Sequence, residues 1–142
     1  IPAHPELDPP ATIKTTVFSV VSVDGVIWVN TEGAAKPAPV PIASQPLRSF
    51  HVEAQSEGLA QACLAVAFDG GAPEQLAHGL YQLGARQVLL LENPLDGERI
   101  QITALIDADA KPEDCAALSR WCDAVRRAAQ IKMVAALAAL MP

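Results

Sequence analysis

Three histidines, three cysteines and several carboxylates beside glycines are the residues of this 142-residue chain whose types could do chemistry. A nucleophilic mechanism needs Ser or Cys within reach of His, with a third group to orient the base. His4 lies in a proline-rich start, and His51 and His78 fall in strand-like runs. None of them belongs to a G-x-S-x-G, H-E-x-x-H or phosphate-loop pattern. His51 stands between Phe50 and Val52 and is expected to face solvent; His78, beside Gly79, is expected at a strand bend. Cys63 lies inside an apolar run and reads as a core residue. Cys115 and Cys122 are seven positions apart, roughly on one side of a helix, with no histidine nearby to complete a metal site. No catalytic residue, cofactor or metal site is assigned, and the chain reads as non-enzymatic.

The stretch Cys63–Gly84 poses a sharper question, because its glycine-rich break, Asp69-Gly70-Gly71-Ala72-Pro73, could gather amides around a phosphate. Such a cradle needs the N-terminus of a helix. Here proline removes one amide, and a strand-like run, Leu76–Leu83, follows. Asp69, Gly70, Gly71 and Pro73 are therefore read as turn-forming residues, as are Asp24 and Gly25 between two β-branched runs. Asp96 and Asp107 are likewise explained by turns and element ends.

Composition narrows the classes further. The chain carries a net charge of −6 with a pI near 4.9, and aromatic residues make up 4% of it. An acidic chain repels phosphate backbones, and few aromatics leave little to stack on bases, so single-stranded nucleic-acid binding is the weakest alternative. No apolar run is long enough to span a bilayer. The odd, small number of cysteines fits free thiols in a reducing compartment, and a bacterial cytoplasmic location is expected. The chain begins with Ile, so a removed targeting segment remains open.

The elements that would position these residues follow from hydrophobic period. Residues 1–11 hold four prolines and read as an arm. Ile13–Val23 and Val26–Asn30 flank Asp24-Gly25 as a hairpin. Residues 31–47 carry four more prolines and read as an extended loop. Strands are expected at Arg48–Gln55, Gln61–Phe68, Leu76–Leu83, Gln87–Glu92 and Arg99–Asp107, with a turn at Ser56-Glu57-Gly58. From Glu113 to about Leu140 the period is helical, with Asp109 as the expected N-cap. A helix of that length runs about 42 Å, too long for one small barrel to cover. Its last third, "MVAALAALM", is apolar nearly all round. Either it folds back on its own sheet or another chain buries it. The expected fold is mainly β (α+β): a β-barrel domain with a hairpin extension at 12–107, then a C-terminal amphipathic helix at 108–142.

One family resemblance bears on residues 12–84. Ala67-Phe68 at a strand end, Gly71, Pro73, the closing Gly79 and the early Asp24-Gly25 turn resemble a small OB-like β-barrel family. That family is associated with the spike and baseplate proteins of type VI secretion and phage tails. Ala72 stands where the family has an acid, and its second proline is missing here. The resemblance implies a structural or adaptor role in protein assembly, with no catalytic residues to carry over. Partners, another protein or a second copy, would meet the helix at Trp121, Val125, Met133, Leu137 and Leu140, giving an oligomer or complex component. The alternative is a ligand-binding or enzymatic barrel with a polar pocket formed from His51, His78 or Cys63.

Overall fold

The chain is described from a computed structural model, which covers residues 17–23, 25–31 and 43–141. The arm at 1–11, Asp24 and most of the proline-rich loop lie outside the described residues. The chain divides into two compact units, Ile1–Pro39 and Val40–Pro142. In the first, β1 (Ser19–Val23) pairs antiparallel with β2 (Val26–Asn30), and Val23 sits opposite Val26. A two-residue connection containing Gly25 at φ 79° joins them, a conformation open to glycine at no steric cost.

The second unit holds β3 (Ser44–Glu53), α1 (Ser56–Ala65), β4 (Glu74–Ala77), β5 (Leu80–Leu83), β6 (Arg86–Pro94), β7 (Arg99–Asp107) and α2 (Pro112–Ala139). The five strands form one antiparallel sheet in the order β3-β7-β6-β5-β4. The mainly β, α+β fold with a long C-terminal helix is as the sequence period leads one to expect, as is the β1–β2 hairpin, which is expected within the barrel and instead forms a two-stranded sheet of its own. The barrel is not as expected. β3 and β4 lie at opposite edges, so among the described residues the sheet is open, and the β6–β7 hairpin lies inside it rather than extending from it.

One misread segment accounts for much of that difference. Gln61–Phe68, expected as a strand, is mostly the second half of α1, and the expected turn at Ser56-Glu57-Gly58 is its first turn. "LAQACLAV" satisfies both periods: Ala62, Leu64 and Val66 alternate, while Leu59, Ala62, Cys63 and Val66 recur at helical spacing. The alanines favour helix. Helical spacing buries Leu59, Ala62 and Cys63 and leaves Leu64 exposed. The run Leu76–Leu83 is also two strands, divided at His78-Gly79.

The turn at Asp69-Gly70 is present, with φ of 47° and 76° at its two central residues. Phe68 and Gly71 exchange both backbone hydrogen bonds across it, each 2.9 Å. Positive φ at both positions is the primed geometry of tight hairpins.

Helices cover one face of the sheet. Phe50, Val52, Tyr81, Val88, Leu90, Ile102 and Ile106 point from the strands into the core. Leu118, Trp121, Cys122, Val125 and Ala129 meet them as one stripe of α2, at the i, i+3, i+4 spacing of a packed face. The Trp121 indole N–H donates to the Val66 carbonyl oxygen at 3.0 Å, tying α2 to the end of α1. On the β3 side the Arg48 guanidinium lies over the Phe50 ring and donates to Ser119 Oγ at 3.1 Å and Asp123 Oδ1 at 2.9 Å.

Gly79 fixes the join between the β4–β5 turn and β6. Its carbonyl oxygen accepts from the Leu90 N–H at 2.7 Å, and its φ is 76°. A Cβ there would stand 2.5 Å from the Leu90 carbonyl oxygen, so alanine meets both a strained φ and immovable backbone. Gly70, with the same φ, has nothing within 4 Å of that position. Gly79→Ala is expected to cost at least about 3 kcal/mol in urea unfolding, while Gly70→Ala costs only the φ penalty of about 1–2 kcal/mol. Equal losses in the two variants would show that the close approach at Gly79 is not what holds this join.

Candidate functional site

Residues able to do chemistry gather at three places in the larger unit. The first lies in the core. Cys63 on α1 and Tyr81 on β5 are hydrogen-bonded and buried, and the Tyr81 ring lies 6.3 Å from Trp121. Burial pushes the Cys63 thiol up to about 12, the Tyr81 hydrogen bond offsetting part of the shift. Burial likewise pushes Cys122 to about 12, against the pull of Arg48. Burial also raises the Tyr81 hydroxyl. A nucleophilic thiol needs its pKa lowered toward neutrality. These two move the other way and serve as packing groups.

The second place joins α1 to β6. Ser56 Oγ donates to Glu92 Oε2 at 2.6 Å, and His78 Nε2 lies 3.8 Å from the same oxygen. The residue types are those of a hydrolase triad, but their order is different. In a triad the histidine stands between hydroxyl and acid and takes the hydroxyl proton. Here the carboxylate occupies the middle, and the His78 side chain is largely exposed. The arrangement fixes the start of α1 against β6. His51 is exposed on β3, so the three residues suggested for a polar pocket, His51, His78 and Cys63, do not converge on one cavity wall.

A third cluster surrounds Arg86 at the start of β6. Its guanidinium meets Asp109 Oδ1 at 2.9 Å, Asp114 Oδ2 at 3.0 Å and Asp107 Oδ2 at 4.0 Å. Desolvation opposes its charge, but Asp114, Asp109 and Asp107 together hold it above its ordinary value. Asp107 also accepts the Gln87 backbone N–H at 3.0 Å. Asp109, expected as the N-cap of α2, is instead an Arg86 partner. The N-cap is Lys111, whose N–H donates to Asp114 at 3.0 Å. Proline at the first helical position shifts the helix start two residues beyond the expected cap. Among the described residues no group of three or more His, Cys, Asp or Glu side chains could hold a metal ion.

Among the described residues a groove of about 470 Å³ between α1 and the far end of α2 has the geometry of a binding surface. Ala129, Met133, Ala136 and Leu137 of α2, with Leu140 at its C-cap, supply an apolar wall that also carries Lys132. Across from them lie Gln55, Glu57, Gly58 and Gln61, with Glu98 from the β6–β7 connection. Of the residues expected on a contact surface, Met133, Leu137 and Leu140 line this groove. Trp121 and Val125 do not: they lie in the chain's own core, because that part of α2 sits directly on the sheet. Gly58 and Glu98 escaped sequence reasoning, since Gly58 looked like a turn and Glu98 like loop charge.

Comparison of the chain with protein-family models, with curated proteins and with solved structures finds no match. No helix among the described residues is long and apolar enough to cross a membrane.

The buried thiols make a direct test. In the folded chain a thiol reagent at neutral pH is expected to modify Cys115 alone, with Cys63 and Cys122 reacting only on unfolding; rapid modification of all three would contradict their burial. The raised thiols also set the sign of the alkaline response. Unfolded cysteines ionise near 9, folded ones near 12, so stability from these groups is full below about pH 9 and lost as pH rises toward 12. Denaturant midpoints measured from pH 8 to 11 should fall accordingly, and fall less in Cys122→Ala relative to its own value at pH 8.

Proposed function

We propose that this chain is a non-enzymatic assembly protein whose contact surface is the C-terminal end of α2. One observation carries the reading: α2 stays apolar, on the core stripe and beside it, after the core has ended. Leu118, Trp121, Cys122, Val125 and Ala129 are buried, whereas Val134 is 66%, Leu137 52%, Leu140 82% and Met141 76% exposed. Water is a poor neighbour for such a run, and contiguous apolar surface of this kind marks contact sites. The protonated buried thiols and the Ser56–Glu92–His78 order support a structural role over a catalytic one. The type VI or phage-tail setting is suggested by sequence resemblance alone, and α1 occupies the segment where that resemblance has a strand.

Replacing Val134, Leu137 and Leu140 together by Gln tests the reading. None of the three belongs to the core, so the unfolding free energy of the dilute, unassociated chain should change by no more than a surface change does, about 0.5 kcal/mol or less per site. In extract of the native cells, the chain should elute in a complex larger than its own 14.9 kDa, and the triple variant as a monomer. A wild-type chain that elutes as a monomer in that extract would contradict an assembly role.

A further inference from the structure

We infer that the groove between α1 and the end of α2 is the seat for the α2 end of a second copy of this chain, giving a symmetric pair. The inference rests on the assembly role proposed above and assigns its partner. The groove and the exposed stripe are parts of one surface, because Met133, Leu137 and Leu140 form one wall of the groove while Val134 and Met141 face away from it into solvent. A patch that carries both an apolar ridge and an apolar trough fits a copy of itself about a two-fold axis, as an isologous interface requires.

Charge points to the same occupant. The net charge of the chain is −6, yet from Ala124 to Met141 it contains Arg126, Arg127 and Lys132 and no carboxylate. The opposite wall of the groove carries Glu57 and Glu98. The groove's own α2 wall carries Lys132, so two carboxylates face one lysine there, while the exposed Arg126 and Arg127 lie outside the groove and are available to the carboxylates of a second copy. An anionic lipid surface fits poorly, since Lys132 is the one basic residue after Arg127 and Glu57 and Glu98 would face the headgroups.

The exposed Val134, Leu137, Leu140 and Met141 of each copy, together with the groove walls they would cover, contribute toward the roughly 1,200–2,000 Å² that stable complexes bury.

Gly58 provides a clean probe. It lines the groove, and a Cβ placed on it meets nothing within 4 Å, so a large side chain there fills the trough without touching the domain's own packing. It lies in the first turn of α1, where a residue other than glycine favours helix. Sedimentation equilibrium of the purified chain should give twice 14.9 kDa at about 100 µM, a concentration well above the Kd of ordinary specific complexes. Gly58→Arg should raise the dimer dissociation constant at least about tenfold, with an unchanged or higher thermal midpoint when both chains are measured dilute enough to be monomeric. Leu137→Asp should do the same from the other side. A purified wild-type chain that stays monomeric at that concentration overturns the self-pairing, while a larger complex in native extract would leave the assembly role standing. A dimer that survives Gly58→Arg but not Leu137→Asp overturns the groove as its seat. A dimer indifferent to both overturns the groove and the α2 end together.

Discussion

Leu118, Trp121, Cys122, Val125 and Ala129 of α2 seat on one face of a five-stranded sheet, and the rest of the larger unit is arranged around that contact. An open antiparallel sheet needs its apolar face covered, and here α1 and α2 together do the covering. α1 is too short to cover five strands alone. The indole of Trp121 closes the seam, lying tilted against the Tyr81 ring and donating to the Val66 carbonyl just past α1. Two polar ties then fix the helix along its axis. Arg86 and its three carboxylates hold the N-terminal turn, and Arg48 with Ser119 and Asp123 holds the middle. No comparable tie follows Ala129 among the described residues.

That asymmetry links packing to function. The same spacing of small and apolar residues runs from Leu118 to Leu140, but the sheet supports only the first part of it. β3, the longest strand at ten residues, spans about 33 Å, against about 42 Å for the helix. A helix end that stays apolar where its own domain does not cover it is costly in water, and the contact proposed for it would relieve that cost. The groove beside it is a consequence of the same overhang, since α1 and the β6–β7 connection stop where α2 continues.

Much of this was legible in the chain. "QVLLLE" and "RIQITALID" are apolar runs of strand length joined by Asn93-Pro94-Leu95-Asp96-Gly97, and they form the central hairpin β6–β7. The length of α2 followed from a stripe that never breaks period. Alanine hid α1: "LAQACLAV" alternates and also repeats at helical spacing, and only the sheet beneath decides which residues are buried. Without α1 a strand stood in the place of the helix that covers the sheet, and a closed barrel followed as an error. Sequence also marked the end of α2 as a contact surface but assigned Trp121 and Val125 to it, because period identifies a face and not what lies opposite. The groove needed coordinates, since Gly58, Glu98 and Leu137 are far apart in the chain.

Hydrogen exchange along α2, followed as a function of protein concentration, tests the division of this helix most directly. Amides from Leu118 to Ala129 should show the full protection of the folded domain at every concentration. Those from Val134 to Ala139 should exchange rapidly in dilute solution and become protected as concentration rises. Protection of 134–139 that equals that of the core even at high dilution, or that never develops at high concentration, would contradict a helix anchored in one half and completed by a second copy in the other.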